Sequence, residues 1–482
     1  MSSPSTKIFS PYFDYLRQHF QVLANEVVKY NITAGDVAQD FLSSSQRRDS
    51  FLPIADEMRQ FILQFWRTNN GPVLELIAQL KGLKARFGGD IGPQANDNII
   101  QRAGLYFDTI IVPDPLYRIT QLSLEHDLNW HYYILKYAIN QLVSADAYLA
   151  NIDPPIAILV PDTHLLDTKT QLPELIADGE IHTVLAINKL YGINLDSFQE
   201  VEKYFTRFSS LKNAISAIQD TELFWFDERV NRNPEDQLAS IINFHTSTYS
   251  STNSQVSIEN PQYLPYMLRG RMMQVADAYR SSLKDNAVPL ISAPISFHWF
   301  SFRFSSGQKL VSRELGLEDF PKLVLTNSLL SSNLDWLGKV PFKSLVQLRE
   351  RGTLQDIRTM FAQTLLKYND LSQTSIVDAT NLIDKEISDA LKKHQSEVQQ
   401  LNQTLKFELS ITVPTLLVSI IASLQPTMLP LLPQWVPGVA NMIGTGSVAE
   451  VLRHSVDYYR KSKILSESPV GILWNAKDKS CN

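Results

Sequence analysis

Cysteine is almost missing from this chain. The single one, Cys481 of 482 residues, rules out a disulfide within the chain and a cysteine-based zinc site, and a reducing, cytoplasmic setting is the expectation. Basic charge is not in excess either: 44 Lys and Arg stand against 50 Asp and Glu, a net charge of −6. A broad nucleic-acid surface concentrates Lys and Arg to replace counterions along phosphates, so no nucleic-acid partner is expected. The stretch from Met1 to Lys7 lacks an apolar signal core, which argues against a cleaved leader.

Several catalytic signatures are missing as well. There is no Gly-rich phosphate loop with its Lys, no dinucleotide fingerprint and no nucleophile elbow. The nine histidines form no His-Glu-x-x-His pair, and His126 and His131, five apart, do not share a helix face. No cofactor is expected on these grounds.

The longest absence is of charge itself. From Leu409 to Ala449, 41 consecutive residues contain no Asp, Glu, Lys or Arg, in a chain where 20% of residues are charged. A stretch of that kind avoids water, buried either in protein or in lipid. Within it Leu416, Leu417, Ile420, Ile421 and Leu424 form an apolar run at the lower length limit for a membrane-spanning helix. Pro426, Pro430, Pro433 and Pro437 then interrupt the helix around Trp435, which suits a kinked interfacial piece or an arm laid in a groove. Arg453, Arg460, Lys461 and Lys463 follow on a last helix capped by Ser447 and Glu450, placed to meet anionic lipid. The plainer reading is a helix that closes a core; polar Ser410, Thr412, Thr415, Ser419 and Ser423 weigh against a permanent anchor.

What is present is mostly helical. Ser10 and Pro11 read as the start of a helix with Phe13, Leu16, Phe20, Leu23 and Val27 on one face; further helices are expected over Ile54–Trp66 and Pro72–Phe87, the last closed by Gly88-Gly89. Tyr106 to Val112 and Ile156 to Val160 are apolar β-branched runs, each ending in Val-Pro-Asp, with a helix expected between them from His126 to Leu149. Strand, helix, strand predicts a parallel pair, Ile110–Val112 beside Ile158–Val160. Val288–Ser292 and Lys322–Thr326 are further strand candidates, and Thr246–Ser257 reads as a flexible polar loop. The expected fold class is mainly α with a small, mostly parallel β-sheet and a helical C-terminal domain. Its parts are 1–100 helical, 101–335 α/β, and 336–482 helical, the last with a short helix from Pro341 to Gly352 and a long one over Thr374–Phe407.

Three constellations could carry chemistry. Asp114 and Asp162 follow the two Val-Pro-Asp strands and would lie at one sheet edge, so they are candidate oxygen ligands for a divalent ion, with Asp108, His164 and Asp167 nearby; the plainer reading is a strand end that caps the next helix. Arg269 and Arg271 flank Gly270, and Arg349 and Arg351 flank Glu350, where an anion could be held, although solvated helix faces are the plainer reading. Trp299, Phe300, Phe302 and Phe304 read as core. The expected function is a non-enzymatic cytoplasmic sensing or binding protein, peripheral to the membrane at times, whose C-terminal apolar segment serves conditional membrane association or assembly. Its partners would be a protein, another copy of the chain or an anionic membrane surface. A metal-dependent enzyme using Asp114 and Asp162, or a plain scaffold, is the alternative.

Overall fold

The computed structural model describes residues 3–89, 98–125, 130–161, 171–227, 230–249, 260–306 and 342–350, with 385 and 389. The segment 409–449, the basic residues 453–463, Asp162, the strand candidate 322–326 and, apart from 385 and 389, the expected helix 374–407 lie outside the described residues. Up to Ser306 these belong to one compact unit; helix Phe342–Glu350, close to the bounds expected from Pro341 and Gly352, belongs to a second. No described helix is long and apolar enough to cross a membrane.

The first unit opens with three helices, α1 (Pro4–Tyr30), α2 (Ala34–Ser43) and α3 (Ser45–Gln79). The chain then forms β1 (Lys84–Gly88), α4 (Ile99–Gly104), β2 (Thr109–Pro113), α5 (Pro115–Glu125), α6 (Trp130–Val143), α7 (Ala145–Leu149) and β3 (Ala157–Val160). Next come α8 (Gln171–Tyr191), α9 (Phe198–Phe205), α10 (Leu211–Ser216), α11 (Pro234–Tyr249), α12 (Tyr263–Lys284), β4 (Val288–Ile291) and α13 (Pro294–Ser306).

The four strands make one all-parallel sheet in the order β3-β2-β1-β4. Ile110, Ile111 and Val112 pair with Ala157, Ile158 and Leu159, as the repeated Val-Pro-Asp pattern predicts. Nearly every strand residue is buried, because helices cover both faces of a parallel sheet. From β1 the chain moves outward to β2 and β3, then returns to β4 on the opposite side of β1. Right-handed crossovers therefore send α4–α7 to one face and α8–α12 to the other, and the direction reverses between β1 and β4.

Several boundaries differ from those read in sequence. Ser3 and not Ser10 caps α1; Ser10 and Pro11 lie inside the helix, where the Ser10 hydroxyl donates to the Thr6 carbonyl at 2.7 Å. The expected helices over 54–66 and 72–87 are replaced by the single α3, which passes through Pro53 and Pro72, and by a strand. Lys84-Ala85-Arg86-Phe87 looks helical on charge, yet its two cations are buried by tertiary partners: Lys84 Nζ donates to the Ile77 carbonyl at 3.2 Å and Arg86 pairs with Asp285. Gly82, at φ +100°, makes the turn into this strand. Its backbone brings Leu83 N within 2.7 Å of the Asp108 carboxylate, and a Cβ there would strike that carboxylate. The single helix expected from His126 to Leu149 is interrupted at Ser144, between α6 and α7, and α11 extends through Thr246–Tyr249, which were read as loop.

Candidate functional site

The carboxyl ends of the strands carry two polar features of this unit. At the end of β2, Asp114 is completely buried. Its Oδ1 accepts from the Tyr12 hydroxyl at 3.0 Å and from Leu116 N at 3.0 Å, and its Oδ2 accepts from Trp66 Nε1 at 2.6 Å. The Asp114 carbonyl accepts from Arg118 N at 3.2 Å, so this residue caps α5 as strand-ending Pro-Asp pairs commonly do. Burial pushes its pKa up to about 6, against the downward pull of those hydrogen bonds, and pushes Tyr12 well above its ordinary value. Its expected partner Asp162 lies outside the described residues. Among those residues, no group of three or more His, Cys, Asp or Glu is placed to hold a metal.

The other end is open. Where β1 and β4 finish, a cavity of about 650 Å³ sits against the point at which the strand order reverses. Crevices outside the carboxyl ends of strands at such a switch point are where open α/β sheets take ligands, and the volume suits a small molecule. Its floor is Gly89, held at φ +84°; a Cβ there would collide with Ile291 and Ser296. The Gly89 carbonyl accepts from Gln274 Nε2 at 2.9 Å and from the Ser296 hydroxyl at 2.7 Å, which ties the end of β1 to α12 and to the first turn of α13.

Helix α12 supplies the longest wall. Leu264, Leu268, Met272, Val275 and Tyr279 recur at helical spacing and bury one face in the core, while Tyr263, Met267, Gly270, Arg271 and Gln274 line the cavity. Pro265 falls in the first turn of α12, where a missing N–H costs least. The Arg271 guanidinium donates to Gln274 Oε1 at 3.2 Å. Opposite stands Asp227, whose backbone is clamped by the buried Gln237: Oε1 accepts from Phe226 N at 2.7 Å and Asp227 N at 2.8 Å, and Nε2 donates to the Asp227 carbonyl at 2.8 Å. The Ser240 hydroxyl, one turn along α11, donates to the Asp227 carboxylate. Ala293, Ile295 and Ser296 at the start of α13 complete the enclosure, with Pro294 as its first helical residue and the positive end of the helix dipole toward the space.

A second hollow of about 470 Å³ adjoins the first and shares Tyr263 and Met267 with it, adding Asn260, Gln262 and Tyr266. Arg269 does not reach the main cavity lining. It pairs with Glu180 at 3.0 Å and lies over the Tyr266 ring at 4.7 Å. Of the Arg-Gly-Arg run, then, Gly270 and Arg271 face the cavity and Arg269 braces α12 against α8 and Tyr266. Trp299, Phe300 and Phe302 are buried in the core. Sequence reasoning missed Gly89, Asp227, Ser240, Gln274 and Ser296. The available signal was Gly88-Gly89 directly after an apolar-polar alternation, and it was hidden by reading Lys84–Phe87 as helix. Compared with family models, curated proteins and solved structures, the chain has no match in any of the three.

Proposed function

We propose that this protein is a cytoplasmic small-molecule sensor: its α/β unit binds a polar ligand in the crevice at the ends of β1 and β4, and its C-terminal apolar segment, 409–449, delivers the response by membrane association or assembly. The observation that carries the reading is the coincidence of a cavity of about 650 Å³ with the reversal of strand order, its lining among the described residues including Arg271, Asp227 and a helix start. A ligand there touches the end of β1, α11, α12 and α13 together, so its binding energy can bias how these elements pack. The C-terminal half of the proposal rests on composition. Leu416, Leu417, Ile420, Ile421 and Leu424 would each gain about 1.5–3 kcal/mol on leaving water, and the basic residues behind them suit an anionic lipid surface.

Native mass spectrometry of the full chain, incubated with a small-metabolite extract, tests the first half. A bound species absent from a Gly270→Trp variant supports it, since a Cβ at Gly270 meets nothing within 4 Å and an indole there fills the crevice. Equal spectra for the two proteins would count against it. Flotation with anionic and neutral liposomes, and sizing of the full chain against Ile420→Lys, tests the second half; no change in either would remove it.

A further inference from the structure

The sealed end of β2 joins several elements through one side chain. Asp114 has no exposure, and it takes hydrogen bonds from Tyr12 on α1, from Trp66 on α3 and from the backbone N–H groups of Leu116 and Tyr117 at the start of α5. Every one of these donors is neutral. The other titratable group that faces it is Tyr148 on α7; burial and the Asp114 charge push both phenols up, so Tyr12 and Tyr148 keep their protons where a carboxyl titrates. No Lys, Arg, His or second acid among the described residues pairs with Asp114. Arg118, one turn along α5, meets it through backbone atoms, and His19, two turns along α1 from Tyr12, stands against the rings of Tyr15 and Phe20.

The charged form is therefore confined without a counter-ion, a state that neutral hydrogen bonds offset only in part. With the proton on, the Asp114 O–H can donate to Tyr12 Oη, since a hydroxyl accepts as well as donates, and the remaining donors stay in place. With the proton off, water is the missing partner, and it reaches Asp114 only when α1 or α3 moves. Both helices also carry buried polar atoms with no hydrogen-bond partner: Tyr15 Oη and His19 Nε2 on α1, and Asn70 Oδ1 on α3. Each gains a partner from water when the layer opens. We propose that Asp114 is a proton-operated latch on the N-terminal helical layer: protonated, it holds α1 and α3 closed over the end of β2, and ionised, it lets them open locally. The latch does not depend on the crevice reading.

Hydrogen exchange of the full chain, read by mass spectrometry and corrected for the intrinsic pH dependence of amide exchange, is the test. The carboxyl holds its proton to about 6 in the closed form and to about 3.9 once in water, so closure is firmest below about 4 and weakens until the pH passes 6. Opening of peptides that contain Tyr12 and Trp66 should therefore rise about ten-fold from pH 5 to pH 7 and level off above it. At pH 7 these peptides should exchange about ten-fold or more faster than the slowest amides of α8 and α12, as a local opening requires. Asp114→Asn should abolish the step. Should that variant misfold, Tyr12→Phe, which deletes a donor that favours the ionised form, should carry the rise on to higher pH. A flat profile in the unsubstituted protein overturns the proposal, as does a step retained in Asp114→Asn or unmoved in Tyr12→Phe. So does equal protection of α1, α3, α8 and α12, which would leave Asp114 a contributor to global stability alone.

Discussion

The two halves of the sheet's carboxyl edge are treated in opposite ways. At β2 the polar group that follows the strand, Asp114, is sealed by Tyr12 from α1 and Trp66 from α3; at β1 the strand is followed by Gly89 and opens on the crevice. β2 and β3 are joined on one face by α5–α7, over which the three N-terminal helices pack. Between β1 and β4 the connections leave in opposite directions, so no single helix layer covers both ends. The Pro-Asp end of β2 and the Gly-Gly end of β1 look alike as strand terminators, and what separates them is their distance from the switch point.

Two carboxylates, one buried and one largely so, make the same contrast in their charge. Asp114 has only neutral donors, and burial wins, raising its pKa to about 6. For Asp178 on α8 burial also raises the pKa, but the hydrogen bond from His182 and the guanidinium of Arg303 overcome it and hold the group down at about 2. Arg280 adds a second guanidinium at 3.4 Å, so α8, α12 and α13 are fastened together by this network.

The largest expected effect comes from opening the sealed half. Trp66→Ala removes a buried indole and leaves one Asp114 oxygen without its donor; a loss of about 3–5 kcal/mol in urea unfolding is expected. A loss below about 1 kcal/mol would mean that the seal is not a packing unit.

Next comes the pH response, measured as the stability difference between the protein and Asp114→Asn. In the folded state Asp114 holds its proton to higher pH than in the unfolded chain. Its contribution therefore grows as pH falls from about 6 to about 4 and is diminished above 6, on the order of 3 kcal/mol across that interval. The Asp178→Asn difference should run the other way, with stability present above about 4 and lost as pH falls toward 2. Two difference curves of the same sign would break the comparison.

Tyr12→Phe deletes one hydroxyl of the seal without a large cavity, and about 1–2 kcal/mol should be lost in the same assay. The smallest effects are expected on the open half. Gly270→Trp and Arg271→Gln should each leave stability within about 0.5–1 kcal/mol, since Gly270 faces open space and Arg271 is only half-buried. A thermal midpoint lowered as much as by Trp66→Ala would make this wall of the crevice part of the core instead of a ligand site.

Local pattern carried much of the unit. The β-branched runs at 109–113 and 157–160 and their parallel pairing, the stripe Ile134, Ala138 and Leu142 on α6, and Ser197 and Asn233 as helix caps follow from periodicity and from side-chain oxygens that satisfy the first-turn N–H groups. These are short-range properties, readable from neighbours in sequence. β1 was illegible because the burial of Arg86 depends on a remote partner, Asp285, 199 residues away, while Lys84 donates to the Ile77 carbonyl near the end of α3. The same holds for both polar sites. Asp114 is a cap by sequence, and becomes a sealed, proton-holding group only because Tyr12 and Trp66 arrive from α1 and α3. The Arg-Gly-Arg of α12 is a plain helix face by sequence, and becomes the wall of a crevice only because Gly89, Asp227 and the start of α13 converge on it from separate connections. Elements are chosen by contacts a few residues apart, whereas a buried charge or a cavity exists only once segments far apart in the chain have together excluded water.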